Sequence, residues 1–216
     1  CQSYDNIEYI IVDGASSDST MEIVERYADN ISVIISEPDN GVYDAFNKGI
    51  SAANGEIVYF LNSDDYIFES TTIESVAEIF QQNPGLKILY GNVMILDEAS
   101  GYTHIKGKAL SLDALKEREM MPHQGVFVKR ELFFKYGLFD TKYKICSDFD
   151  FMIKCFPKEE QQSLYIDKVI AVYREGGLSS NAKNRYLLEK ESGDIIYEHF
   201  NILRKDEEEE LQKVQG

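Results

Sequence analysis

The sequence predicts an α/β fold: a mixed, mostly parallel sheet flanked by helices, with a C-terminal helix. Three observations carry this. Short runs rich in β-branched and aromatic residues, Ile7–Val12, Ile31–Ser36 and Glu56–Leu61, alternate with segments of helical periodicity. Turn-forming residues stand at the junctions, so the order reads β-α-β-α-β-α, which favours parallel strands joined by right-handed crossovers. Near the end of the chain Leu187, Leu188, Ile195, Ile196, Phe200 and Leu203 form one long apolar stripe.

The elements follow in order. After Ile7–Val12 the turn Asp13-Gly14-Ala15-Ser16-Ser17-Asp18 leads to Ser19-x-x-Glu22, a capping box for a helix through about Tyr27. Ile31–Ser36 is the second strand. Asn40-Gly41 signals a turn, and the next helix stops near Asn54-Gly55. Glu56–Leu61 is the third strand. Ile73, Val76, Ala77 and Phe80 share a helical face, which Asn83-Pro84-Gly85 ends. The pattern then changes. Lys87–Asp97 and Gly101–Lys106 pair as a hairpin around Glu98-Ala99-Ser100, and Gln124–Val128 is another strand. Arg130–Tyr136 is helical with Gly137 as its C′ residue. Ser147–Phe156 is a short helix closed by Pro157. Leu164–Arg174 supplies one or two strands, and a helix runs from Asn184 to about Glu210. One compact domain is the simplest account.

Composition narrows the class. With 216 residues, 44% hydrophobic and 28% charged, the chain has material for one sizeable core. No apolar run approaches membrane-span length and no signal-peptide pattern is read, so no transmembrane segment is expected. The net charge of −16, from 22 basic and 38 acidic residues, argues against a nucleic-acid partner. Part of that excess is Asp206–Glu210, read as a solvated helix face or tail. Three cysteines, Cys1, Cys146 and Cys155, show no metal or redox spacing; a reducing, cytoplasmic compartment fits, with Cys146 and Cys155 as core fillers.

The chemistry concentrates at strand ends. The run Glu56–Leu61 stops at Asn62-Ser63-Asp64-Asp65. Ligands of open α/β sheets bind beyond the carboxyl ends of strands, and two adjacent acids repel unless a cation joins them. A divalent ion with oxygen ligands, Mg2+ or Mn2+, suits them and commonly holds substrate phosphates as well. The alternative is an acidic surface turn. Asp13 ends the first strand at the same edge, and the small residues after it leave room for a flat ligand; a helix-entry turn is the plainer reading. Asp148 and Asp150 open a helix, where capping favours carboxylates, and their i,i+2 spacing sends them apart. Either one facing a cleft could act as a general base. His123-Gln124 precedes a strand and could contact phosphate or sugar. Gly176-Gly177-Leu178-Ser179-Ser180-Asn181 reads as a loop, either a connector or a lid over a ligand.

Taken together these stretches resemble family 2 glycosyltransferases of the GT-A fold, a Rossmann-like architecture. The similarity runs through Ile7–Val12, Asp13 to Thr20, Glu37-Pro38-Asp39-Asn40-Gly41, Asn47-Lys48-Gly49-Ile50 and Ala53-x-Gly55-Glu56. It continues through Phe60–Asp65, His123-Gln124-Gly125 and Ser147-Asp148-Phe149-Asp150. The resemblance implies inverting, metal-dependent transfer of a hexose-type sugar from a nucleotide-diphosphate donor, UDP-linked by preference. The acceptor would be a saccharide or lipid-linked hydroxyl in surface polysaccharide or glycolipid synthesis. It assigns Asp13 to the nucleobase, Asp64 to the ribose and Asp65 to Mn2+ or Mg2+. Lys48 and His123 join the nucleotide-sugar site, Gly176, Gly177 and Ser179 the lid, and Asp148 is the base with Asp150 as fallback.

It further implies a single domain over 1–216, with a nucleotide-binding half (1–97), an acceptor and catalytic half (98–181) and the C-terminal helix (182–216). The family's first strand and helix would precede Cys1. Asn62 stands where the family often has Asp, and Ser147 where Glu is frequent. Expected localisation is cytoplasmic, with peripheral attachment to the inner face of the membrane as the second option; a homodimer through the C-terminal helix is left open. Two other classes compete. A sugar-phosphate nucleotidyltransferase would want a Gly-rich basic loop after its first strand. A non-catalytic nucleotide-sugar-binding module would bind the donor without transfer. An Asp-nucleophile phosphatase is disfavoured, because Asp13-Gly14-Ala15 lacks its D-x-D pattern.

Overall fold

The computed structural model describes residues 2–98 and 100–203. The chain opens with β1 (Ile10–Asp13), α1 (Thr20–Arg26) and β2 (Val33–Ser36), and β1 and β2 pair in parallel with Asp13 opposite Ser36. α2 (Val42–Ala52) begins after Gly41, whose φ of 117° is a conformation that favours glycine. It packs against β1 and buries Tyr43 and Ile50.

The remaining strands form a second, six-stranded mixed sheet: β3 (Ile57–Tyr59), β4 (Tyr66–Ile67), β5 (Ile88–Leu96), β6 (Thr103–Lys106), β7 (Val126–Lys129) and β8 (Ser163–Arg174). Their order is β3-β7-β5-β8-β4, with β6 beside β5. Helices α3 (Thr72–Gln82), α4 (Leu112–Lys116), α5 (Glu131–Tyr136), α6 (Ser147–Glu159) and α7 (Arg185–Phe200) complete the molecule.

The α/β class, the mixed sheet and the C-terminal helix are as expected. Parallel pairing, however, is confined among the described residues to β1–β2 and β5–β8. β3 does not continue the first sheet. It lies antiparallel to β7, where Tyr59 stacks on Phe127 with ring centroids 4.4 Å apart. The buried run Val126-Phe127-Val128 gives β3 an apolar partner strand.

The core has two faces because β5 is buried on both. Ile88 and Tyr90 join Tyr43, Phe133, Phe139, Phe151, Phe156, Ile195 and Ile196 on one side. Leu89 joins Val76, Phe80, Phe127 and Ile170 on the other. β5 shifts register against β8 at Gly91-Asn92. There a Cβ on Gly125 would fall 2.6 Å from the Gly91 carbonyl oxygen, so glycine lets the turn His123–Gly125 lie against β5.

Several local expectations are corrected. The Ser19 side chain makes no capping hydrogen bond; Asp18 Oδ1 instead accepts from Thr20 N at 2.9 Å. Pro157 lies inside α6, which continues to Glu159; near the C-terminal end one missing N–H costs only part of a turn. α7 ends at Phe200, because Asn201 adopts the left-handed conformation at φ 56° and caps it. Leu203 is therefore outside that helix, and the acidic stretch through Glu210 lies outside the described residues, as does Cys1. Cys146 and Cys155 are buried and free, as expected. Among the described residues no helix is long and apolar enough to cross a membrane.

Candidate active site

The apolar strand β3 ends three residues before Asn62, and the chain turns at Ser63-Asp64 to enter β4. The turn leaves Asp64 exposed and drives Asp65 inward, to 7% exposure. Asp65 Oδ2 accepts from Gln124 Nε2 at 3.0 Å, and Oδ1 accepts from the Arg174 backbone N–H at 3.2 Å. Burial pushes this carboxyl above the ordinary aspartate value of 3.8; Gln124 and Arg174 oppose the rise and the neighbouring Asp64 charge adds to it.

Gln124 is itself buried, and its carbonyl oxygen accepts from Tyr59 Oη at 2.7 Å. The residue before it, His123, lies between Asn62 and Asp148. Its Nε2 lies 3.2 Å from Asn62 Nδ2. Nδ1 stands 3.8 Å from Asp148 Oδ2. One dipeptide, His123-Gln124, thus links the Asp64-Asp65 turn to Asp148.

Asp148 sits in the first turn of α6, partly exposed, and its two oxygens are unlike. Oδ1 accepts from Tyr43 Oη at 2.8 Å and from the Phe149 N–H at 2.9 Å. Oδ2 faces His123. Asp150, two residues on, points into the protein at 2% exposure. It pairs with Lys154 Nζ at 2.5 Å and with His199 Nε2 of α7 at 2.9 Å. The i,i+2 divergence read from the sequence is what separates them.

The other expected site residues are more dispersed. Asp13 closes β1, where its carboxylate accepts from Ser16 Oγ at 2.5 Å, Ser16 N at 3.0 Å and Ser36 Oγ at 2.7 Å. Those bonds, led by the Ser16 hydroxyl, hold its carboxyl below the ordinary value of 3.8. Lys48 pairs with Glu37 at 2.9 Å and donates to the Pro38 carbonyl at 2.8 Å, so its contacts lie beside β2 and not at the Asp65 turn. Gly176, Gly177 and Ser179 lie in a turn that Ser180 Oγ closes, accepting from Gly176 N at 3.0 Å and from Tyr173 Oη at 2.8 Å. This turn starts two residues after Arg174, whose amide holds Asp65.

From the sequence alone Tyr43, opening a helix, reads as core, and only the fold brings it to Asp148. Gln124 stands beside His123 in the sequence, but nothing there pairs it with Asp65.

Could this site hold a divalent cation? Each Asp65 oxygen accepts a single hydrogen bond and keeps a lone pair, and Asp64 lies beside it. A cation would relieve the burial that raises the Asp65 carboxyl. Among the described residues no cluster of three or more His, Cys, Asp or Glu side chains could hold a metal. What the residues offer a divalent ion is thus at most the free lone pairs of Asp65 and the neighbouring carboxylate of Asp64, the rest of its shell having to come from ligand oxygens and water.

The family model described as "Glycosyl transferase family 2" matches residues 1–152. The chain is 32% identical over 193 residues to a "PGL/p-HBAD biosynthesis glycosyltransferase" of Mycobacterium bovis, covering 88% of this chain and 74% of that one. Among solved structures, S. aureus TarS 1-349 in complex with UDP-GlcNAc superposes with a TM-score of 0.67 at 18% identity, covering 92% of this chain and 60% of that one. Glucosyl-3-phosphoglycerate synthase from Mycobacterium tuberculosis, in complex with Mn2+, UDP and glucosyl-3-phosphoglycerate, gives 0.60 at 12% identity, covering 92% and 70%. These two likenesses concern the fold. The chain spans about three fifths of the TarS 1-349 structure.

Proposed function

Because the chain belongs to glycosyl transferase family 2, we propose that it moves a sugar from a nucleoside-diphosphate donor, UDP-linked, to an acceptor hydroxyl with inversion at the anomeric carbon. The observation that carries this reading is the His123-Gln124 link. Gln124 fixes Asp65, and His123 faces Asp148, so the carboxylate read as the diphosphate side and the one read as the proton acceptor are joined through one dipeptide.

Asp65, with Asp64, would hold Mn2+ or Mg2+ at the donor diphosphate. When bound, the ion supplies charge neutralisation for the departing diphosphate. Asp13 would meet the nucleobase at the end of β1. Asp148 is the base. Tyr43 and the Phe149 amide fix its Oδ1, leaving Oδ2 to take the proton of the acceptor hydroxyl. The acceptor oxygen attacks the anomeric carbon from the face opposite the diphosphate. The new C–O bond forms as the sugar–phosphate C–O bond breaks, and the electron pair leaves with the nucleoside diphosphate. Inversion needs no protein nucleophile. His123 Nδ1, 3.8 Å from Oδ2, would lie beside the incoming acceptor hydroxyl. Asp150, enclosed by Lys154 and His199, serves to fasten α6 to α7.

Transfer in surface glycolipid or polysaccharide synthesis, at the cytoplasmic side of a membrane, extends the family resemblance; the mycobacterial relative is by its name a biosynthesis glycosyltransferase. The test is incubation with UDP-Glc and UDP-GlcNAc, Mn2+ and a panel of saccharide and lipid-linked acceptors, read by mass spectrometry. A glycosylated acceptor that disappears with EDTA supports the reading; Mn2+-dependent UDP binding with no transfer to any acceptor and no donor hydrolysis favours a binding module.

A further inference from the structure

We propose that Glu191 of α7 is a positioning residue for Asp148, acting through the backbone that leads into α6. This rests on the reading of Asp148 as the base. Glu191 is a carboxylate at 5% exposure, so it needs compensation. It finds it in three consecutive amides of another segment. Oε1 accepts from Lys144 N at 2.7 Å, and Oε2 from Ile145 N at 2.9 Å and Cys146 N at 3.1 Å. Cys146 is the residue that caps α6, and Asp148 lies two residues beyond it.

Tyr43 completes the clamp. Its hydroxyl lies 2.5 Å from the Ile145 carbonyl oxygen and 2.8 Å from Asp148 Oδ1. The segment Lys144–Cys146 is therefore held by its N–H groups from α7, while the single Tyr43 hydroxyl proton is shared between the Ile145 carbonyl and Asp148 Oδ1. Its last carbonyl starts α6, accepting from the Asp150 N–H at 3.0 Å. A slack clamp would let the first turn of α6 swing, and with it Oδ2 relative to the acceptor hydroxyl. Displacement of about 1 Å at a reacting group costs on the order of 10²-fold in rate. The donor side would not feel it, because Asp65 is fixed by Gln124 and Arg174, to which Glu191 makes no hydrogen bond. Glu191 also lies outside the residues matched by the family model, 1–152.

The experiment compares wild type, Glu191→Gln, Asp148→Asn and the double variant. Gln keeps the shape but replaces one acceptor oxygen by an NH2 group, which meets an amide N–H head-on. For Glu191→Gln, kcat should fall about 10²-fold, with the KM for donor and the affinity for UDP with Mn2+ unchanged. In the double variant the loss should not exceed that of Asp148→Asn alone. Parallel loss of UDP affinity, or multiplicative losses in the double variant, would overturn the proposal. Hydrogen exchange on the wild-type chain supplies a readout that no unfolded variant can spoil. The amides of Lys144, Ile145 and Cys146 should be strongly protected although Lys144 itself is exposed; rapid exchange there would overturn the clamp. Near-normal turnover by Asp148→Asn would instead defeat the base assignment, leaving the amide protection to report on the clamp.

Discussion

His123 Nδ1 lies 3.8 Å from Asp148 Oδ2, while the next residue, Gln124, donates to Asp65 Oδ2 at 3.0 Å. Two carboxylates that are 83 residues apart in sequence, Asp65 and Asp148, are coupled through two adjacent side chains. His123→Ala should therefore lower kcat without loss of fold, and His123→Asn should recover part of it by retaining a donor. Steady-state kinetics with circular dichroism checks this; equal loss in both variants would mean that the ring itself touches substrate.

Gln124→Leu removes the side-chain donor to a buried carboxylate, and leaving such a group unpaired costs about 1–3 kcal/mol. The Asp65 carboxyl should rise further, because burial is then less opposed. Weaker Mn2+-dependent UDP binding at neutral pH, by calorimetry, is the expected result.

The raised Asp65 carboxyl gives a signed pH dependence. Between 3.8 and its raised value the folded chain binds more protons there than the unfolded chain. Its contribution to stability is thus present at low pH and lost as pH rises through the raised value. Mn2+ must displace that proton, so metal-dependent UDP affinity should fall as pH drops through the same range, and the midpoint should lie above 3.8. A midpoint at or below 3.8 would place the metal on another group.

Asp150→Ala should destabilise the fold by about 1–3 kcal/mol, since it removes the partner that Lys154 and His199 share. Asp150→Asn keeps the shape and should retain transfer. Loss of transfer with normal thermal stability would return Asp150 to consideration as the base.

Much of this was legible in the sequence because it is local. β-branched runs and turn residues mark β1, β2, β3 and the β5–β6 hairpin, and the acids at strand ends mark the candidate site. The i,i+2 spacing of Asp148 and Asp150 already says that only one can face it. What the sequence hides is long-range pairing. That β3 would join β7, and not β1, depends on which apolar strand covers it. Likewise Tyr43, Gln124 and Glu191 act across 105, 59 and 45 to 47 positions respectively, and no local pattern distinguishes them from core or surface residues. The capping box at Ser19 failed because Asp18, one residue earlier, supplies the acceptor.

The most direct test of the central claim sets Asp148→Asn beside wild type, titrating UDP with Mn2+ and then measuring sugar transfer on the same preparations. Unchanged Mn2+-dependent UDP affinity with transfer abolished is the predicted result: the metal–diphosphate side and the proton-accepting side are then separate parts of one site. Transfer near the wild-type rate would contradict the account.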